Sequence, residues 1–430
     1  MNPTPAIFLI LLLALLEAPI FLVIAGLSLV CLFAESGDWL ALQTVVIEMN
    51  RMAAMPVLVA LPLFTLTGVL LTETGAPRRV LRLVEALVGW LPGGLAMAAL
   101  AACAFFTALT GASGVTIVAI GALLYPMLRE RRYSETFSLG LLTTAGSLGL
   151  LFPPSLPVIL YGLVAQVDIG RLFRAALLPG VILMLVLAAY AYLVRRRQLR
   201  RGEVPPDTAA GGWQPVLEAL KAGIWEWPIA ILIVGGIYGG WVTIAEVSAV
   251  VLTYVIVVEC LILKEVDLLR QLPGIMVAAA KLAGAIMLIL AMALGFTGYL
   301  VDARIPDKIL AALTALTDNR YLFLAGLNCF LLAAGCIMDI FSAIVIIVPI
   351  MVPVAVSYGI DPIHLGVIFL VNLEIGYSTP PVGINLFIAS LRFDRPITLL
   401  YKASLPYLLL LLLVLLVVTY FPGVSGWLLN

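Results

Sequence analysis

The chain has 430 residues, 63% hydrophobic and 11% charged, with mean hydropathy +1.17 and zero formal net charge. A water-soluble domain carries roughly 25% charged residues, so the composition excludes a globule in water and points to a bilayer as solvent. Balanced charge without a basic patch argues against a nucleic-acid partner, and five cysteines scattered through apolar stretches, with a single histidine, argue against a metal cage.

In chain order, the first apolar run follows Met1-Asn2-Pro3 with no basic region and no small-residue cleavage site. It is expected to stay as a membrane segment rather than leave as a signal peptide. Apolar blocks then cover 4–16, 18–34, 52–75, 92–128, 137–165 and 172–194. A basic, then Pro/Gly-rich linker follows from residue 195. After it come 224–241, 245–263, 275–300, 322–355, 363–391 and 403–421. A spanning helix needs about 20 apolar residues. Blocks 92–128 and 322–355 are too long for one crossing and too short for two. Each carries small residues near its centre, at 107–116 and 333–339, so each is expected to be a re-entrant hairpin. Irregular backbone at that depth needs protein or a watery cavity over it.

Blocks 137–165 and 363–391 each hold a Pro-Pro pair. Pro153-Pro154 and Pro380-Pro381 are 227 residues apart, and the same offset takes Gly68 to Gly295, Pro126 to Pro353, Gly149 to Gly376 and Pro179 to Pro406. Paired prolines remove two donors and drive the preceding residue out of helical geometry, so each copy should hold a broken transmembrane helix. A duplicated unit with one hairpin and one broken helix per copy is the pattern of a secondary transporter. The expected fold is all-α, a polytopic membrane protein of two inverted-topology repeats. The first repeat covers 1–194 (hairpin 92–128, broken helix 137–165). A cytoplasmic linker with an amphipathic segment covers 195–222, and the second repeat covers 223–430 (hairpin 322–355, broken helix 363–391).

Charge sets the orientation. With re-entrant hairpins, the basic clusters at 78–82, 129–132 and 195–201 share one face, which the positive-inside rule makes cytoplasmic. Inversion requires an odd number of crossings per repeat. The second offers five, so 4–34 is expected to form two short helices joined near Glu17 and Pro19, one tilted helix being the alternative. Both termini then lie on the periplasmic side. Segments 40–51, 78–90 and 213–227 could lie flat on the membrane, the last with Trp anchors.

There is no nucleophile–base pair, phosphate-cradling loop or metal-ligand cluster, so an enzyme is not expected. Glu246 suits a helix start near Thr243, Lys281 can snorkel, and Glu374 stands two residues before a break. The four irregular points are the best candidate sites. They expose hard carbonyl and hydroxyl oxygens suited to a desolvated Na⁺, and helix N-termini suited to an anion. In the first repeat the cation oxygens would come from Thr107, Thr110, Ser113, Gly149, Phe152 and Pro154. In the second they would come from Gly335, Gly376 and Thr379. An anionic substrate would sit between the tips, near Ser113, Ser155, Asp339 and Ser378.

Three stretches carry a family resemblance. ALTGASGVTIVAIGALLYPMLRERRY with LTTAGSLGLLFPPSLPVILYG, then VGGIYGGWVTIAEVSAVV, then IMDIFSAIVIIVPIMVPVAVSYGIDPIHLGVIFLVNLEIGYSTPPVGINLFIAS resemble the large membrane subunit of TRAP (tripartite ATP-independent periplasmic) transporters. The resemblance covers nearly the whole chain. It implies an ion-transporter-superfamily elevator fold and Na⁺-coupled symport in a bacterial inner membrane. The implied partners are a small four-helix membrane subunit and a periplasmic substrate-binding protein, and the implied substrates are small organic acids such as C4-dicarboxylates, keto acids and sialic acids. It also implies sodium sites at the tips and breaks. Two departures stand out: the first tip reads GASGVT where relatives are richer in Ser and Ala, and a Pro common before the helix-start Glu is missing near Ala245. A stand-alone dicarboxylate or citrate carrier without a binding protein is the alternative function.

Overall fold

The computed structural model describes residues 8, 10, 18–38, 43–204, 213–240 and 242–429, and among them there is no strand. Among the described residues six helices are long and apolar enough to cross a membrane, or up to eight if each bent pair counts as one span. Helix Ile20–Ser36 begins directly after Pro19. Most of the helix expected before it lies outside the described residues.

Both hairpins form where the apolar blocks predicted them. The first has arms Gly94–Thr110 and Ser113–Glu130, and the second has arms Arg320–Ile337 and Ile340–Ser357. The first tip is Gly111-Ala112. Gly111 takes a left-handed φ of 65°, which a side chain resists, and its N–H closes on the Thr107 carbonyl at 2.8 Å. Adding 227 gives Met338-Asp339, the second tip, where Asp339 caps the following arm. The two tips are therefore in register within the repeat.

Both helices break at their prolines. Glu135–Ala145 tightens into a 3₁₀ turn at Leu148–Leu151, passes through an extended Phe152 and restarts as Leu156–Val164, bent by 46°. Pro362–Gly376 ends before residues 377–383 and restarts as Ile384–Phe393. The Pro153–Pro154 and Pro380–Pro381 bonds are both cis.

Packing between the copies is reciprocal. Ser113–Glu130 lies on Ile384–Phe393, and Ile340–Ser357 lies on Leu156–Val164. In the same way Glu135–Ala145 lies on Ile397–Tyr420, and Pro362–Gly376 on Ile169–Arg200. The offset converts one member of each pair into the other, and such self-complementary contacts require a two-fold relation. The hairpins also enter from opposite ends. Glu135, at the base of the first hairpin, pairs with Arg395 at 2.5 Å, and Arg392 donates to the Val118 carbonyl. The second hairpin ends just before Pro362, whose carbonyl accepts from Tyr161 at 2.8 Å. The two bases thus sit at the two ends of the second broken helix, so the repeats are inverted.

Two bodies emerge. Ile20–Ser36, Gln43–Ala53, Pro56–Thr72, Trp227–Gly239, Ile244–Ile262 and Leu272–Asp302 pack mainly on one another. The hairpins and broken helices form the other body. Ile169–Arg200 and Ile397–Tyr420 pack with this second body. Their bulk apolar faces close the outer side of the broken helices. The cluster from Arg195 to Arg200 rides on the last turns of Ile169–Arg200 rather than in a loop.

An amphipathic arm follows the scaffold in each repeat: Ala76–Val88 before the first hairpin and Ile305–Leu316 before the second. The second was not anticipated. Gln43–Ala53 is folded by 69° against Pro56–Thr72, as Pro56 requires. Segments assigned to the cytoplasmic face meet one another: Arg131 reaches Glu85 at 3.4 Å, and the Arg195 guanidinium stacks over Tyr133 at 4.6 Å.

Candidate functional site at the hairpin tips and broken helices

In the first repeat the break presses against the hairpin arm. A methyl group placed at Gly149 would stand 2.5 Å from the Ala108 nitrogen and 2.6 Å from Thr107 Cβ, so only glycine fits. Thr107, fully buried, reaches across: its hydroxyl lies 2.8 Å from the Gly146 carbonyl and 2.7 Å from Thr116 Oγ1. The second repeat repeats the arrangement at the equivalent positions. A methyl at Gly376 would stand 2.7 Å from the Gly335 carbonyl carbon and 2.8 Å from its Cα. The Cys336 thiol donates to the Thr379 carbonyl at 3.1 Å, and Gly383 N–H donates to the Cys336 carbonyl at 3.0 Å. Each tip is thus clasped to its own break.

The two clasps are joined by one residue absent from the sequence prediction. Asn385 is fully buried at the start of Ile384–Phe393; its Oδ1 accepts from Ser113 Oγ at 2.7 Å and its Nδ2 faces the Thr143 carbonyl at 3.5 Å. The repeat offset maps Asn385 onto Val158, so no repeated pattern marks it. Its position in PPVGIN, immediately after a break, was the available signal.

The remaining predicted residues fall as follows. Thr110 is buried at the first tip, 3.4 Å from the Ala112 N–H, and its backbone abuts Gly68 of the scaffold. The Phe152 carbonyl accepts from Ser155 N–H at 3.0 Å, and the Ser155 hydroxyl donates to the Leu150 carbonyl, so Ser155 ties its own turn together. Phe152 and Pro154 line an apolar cavity of about 220 Å³ together with Ala108, Leu109, Ala230 and Ile233, on the side of the first clasp. The Gly376 carbonyl accepts from Thr379 N–H at 2.9 Å, and the Thr379 hydroxyl donates to the Ile375 carbonyl at 2.8 Å. Asp339 accepts from the Phe341 and Ser342 amides at 3.0 Å each and from the Ser342 hydroxyl, a helix-capping role. Ser378 Oγ and both oxygens of Glu374 are fully buried and have no hydrogen-bond partner among the described residues.

Chemically, this is a set of hard oxygens, from hydroxyls, an amide oxygen and backbone carbonyls, buried in the first repeat and partly exposed at the second break. The tips and breaks hold two charged residues, Asp339 and Glu374, and both are acidic. Such a donor set suits a small cation. It contains no nucleophile–base pair, and among the described residues no three His, Cys, Asp or Glu side chains cluster as metal ligands.

The model of the family described as "Tripartite ATP-independent periplasmic transporter, DctM component" matches residues 6–424. Over 368 residues the chain is 37% identical to the C4-dicarboxylate TRAP transporter large permease protein of Pseudomonas aeruginosa, covering 86% of this chain and 85% of that one. It is 36% identical over 367 residues to the isethionate TRAP transporter permease protein of Oleidesulfovibrio alaskensis, covering 85% of this chain but only 57% of that longer one. It is 31% identical to the ectoine/5-hydroxyectoine TRAP transporter large permease protein of Ruegeria pomeroyi, covering 90% of each. The fold is similar to the solved Alcanivorax borkumensis YdaH transporter, with a TM-score of 0.67 at 16% identity over 91% of each chain. The duplicated hairpins and breaks and this match over almost the whole length agree: the chain belongs to the DctM family, the large membrane permeases of TRAP transporters.

Proposed function

We propose that this permease imports a small organic acid, delivered by a periplasmic substrate-binding protein, in symport with Na⁺ by an elevator movement. Its membrane is the bacterial inner membrane, its linker 195–222 is cytoplasmic, its termini are periplasmic, and a small four-helix subunit completes the scaffold. The observation that carries the reading is the doubled clasp, Gly149 on Ala108 and Gly376 on Gly335. Each repeat gives up regular helical hydrogen bonding at the same place and presses the freed backbone against a hairpin tip.

Na⁺ is held by the oxygens at those two clasps: Thr107, Thr110, Ser113, Gly149, Phe152 and Pro154 in one, Gly335, Gly376 and Thr379 in the other. The carboxylate of the substrate goes to the first tip. Ala112 supplies no side-chain cap to the arm that starts at Ser113, so its first amides are open to an anion, whereas Asp339 already fills that role in the second hairpin. The two-body packing supports the movement. The hairpins and broken helices, with Ile169–Arg200 and Ile397–Tyr420, slide as one unit along the scaffold. Scaffold contacts differ between the repeats: Pro56–Thr72 meets mainly the first arm of its hairpin, and Leu272–Asp302 meets mainly the second arm of its own. In an inverted-repeat transporter, such a difference marks one of two alternating states.

Uptake into proteoliposomes containing the permease and its small subunit, with the binding protein outside, tests the reading. Accumulation is expected with an inward Na⁺ gradient and collapses without it. Accumulation indifferent to Na⁺ removes the coupling, and full activity without the binding protein favours the stand-alone carrier.

A further inference from the structure

We infer that Arg79 is a positioning residue for transport: it fixes the first amphipathic arm to the scaffold, so that the first hairpin swings about residues 89–94. The inference rests on the two-body reading above. Arg79 lies on Ala76–Val88, between the scaffold helix and the hairpin. Three glutamates reach its guanidinium from three scaffold segments. Nε donates to Glu226 at 2.5 Å, Nη2 to Glu259 at 2.7 Å and Nη1 to Glu265 at 2.5 Å. Glu226 ends the turn before Trp227–Gly239, Glu259 sits in the π-helical turn Val257–Ile262, and Glu265 begins the loop to Leu272–Asp302. Such π turns inside helices are frequent at functional sites.

The cluster is desolvated as well as crowded. The side chains of Arg79, Glu226 and Glu259 are 14%, 5% and 2% exposed. Gly75 N–H also donates to Glu265 Oε2, so the arm is held at its first residue and again one turn on. Drawing the arm away would strand three carboxylates, two of them buried, without a cation. A planar fork with fixed donors has one geometry that satisfies all three. The arm also packs on Gly94–Thr110 of the hairpin and on Trp213–Ala222, and the Glu85–Arg131 pair that joins it to the hairpin base at 3.4 Å is partly exposed and therefore weak. Between arm and hairpin, residues 89–94 include Gly89, Gly94 and a left-handed Gly93 at φ 84°. The second repeat lacks the device. Pro306 stands at the position equivalent to Arg79, it is the one buried residue of Ile305–Leu316, and no ion pair joins that arm to anything among the described residues. The moving unit hangs from one arm held by buried ion pairs and one held only by its packing on Leu272–Asp302 and Ile340–Ser357.

The test uses distance measurements between spin labels in the full-length permease in liposomes, on a background with Cys329 replaced. Label pairs are Leu87→Cys with Leu261→Cys (arm to scaffold) and Val118→Cys with Leu261→Cys (hairpin to scaffold), all exposed positions. Spectra are taken with Na⁺ plus substrate-loaded binding protein and with neither. The expected result is a fixed arm distance and a shifting hairpin distance. In the Arg79→Lys variant, the arm distance broadens and maximal uptake falls at least tenfold with KM unchanged. An arm distance that shifts together with the hairpin distance overturns the inference and leaves the elevator reading standing. A hairpin distance that never shifts overturns the elevator reading and the inference with it. Wild-type uptake in Arg79→Lys also overturns the inference, and if that variant does not fold, the wild-type distances decide alone.

Discussion

Substituting Gly376 by alanine is the sharpest local perturbation of the candidate site. The added methyl would sit 2.7 and 2.8 Å from the Gly335 backbone carbons and 3.1 Å from the Cys336 nitrogen. Carbon atoms rest about 3.5–4.0 Å apart, so the break must retreat from the tip by about 1 Å. All three neighbouring atoms are backbone, which leaves no flexible side chain to yield. Overpacking of this kind costs about 1–3 kcal/mol, equivalent to roughly 5- to 150-fold in the population of the closed clasp. The proposed ion oxygens of Gly376 and Thr379 move with the break. The sodium concentration for half-maximal uptake should therefore rise at least fivefold, with the midpoint of thermal unfolding lowered. Gly326→Ala is the matched control. It lies on an exposed face of Arg320–Ile337 with nothing within 4 Å of the new methyl, and helix propensity favours alanine by about 0.5–1 kcal/mol. It should be neutral or slightly stabilising, with an unchanged sodium titration. A Gly376→Ala permease that matches both the sodium titration and the unfolding midpoint of the wild type would refute the clasp.

Further expectations follow from individual contacts. Asn385→Ala strands the Ser113 hydroxyl in a buried site, a cost of about 1–3 kcal/mol; uptake should fall while expression and membrane insertion persist, and normal uptake would sever the proposed link between the two clasps. Asp339→Asn keeps a good helix cap and should transport, whereas Asp339→Ala loses about 0.5–2 kcal/mol of capping; equal loss in both variants would assign the carboxylate to ligand binding instead. Cys336 is buried against the Thr379 carbonyl while Cys329 is exposed. A membrane-permeant maleimide should therefore modify Cys329 first and reach Cys336 faster once Na⁺ is withdrawn, and a Cys336 rate independent of Na⁺ would contradict opening of the second clasp.

Much of this architecture was legible because it is local and repeated. A hairpin tip needs small or chain-turning residues at the middle of an over-long apolar block, and a proline pair cannot stay helical, so both tips and both breaks appear in one dimension. The 227-residue offset even aligns Gly111-Ala112 with Met338-Asp339, although those residues share no chemistry. The second arm, Ile305–Leu316, falls between the apolar blocks 275–300 and 322–355, yet the offset from Ala76–Val88 points at it. The Arg79 cluster was out of reach for another reason, and Asn385 offered only its place directly after a break. Their meaning lies in partners 272 and 147–190 residues away, and such pairs leave no periodicity. The π turn that carries Glu259 has no sequence signature at all. Asp339 shows the opposite limit, since an intramembrane acid invites a ligand role until its amide partners are seen.

The most direct test of the central claim is equilibrium binding of radioactive sodium to the purified permease without any binding protein or gradient. Saturable binding that is weakened by Gly149→Ala and by Gly376→Ala, and untouched by Gly326→Ala, is the predicted result. Failure of the wild-type permease to bind sodium, or binding equal in all four proteins, would contradict the assignment of the coupling ion to the two clasps.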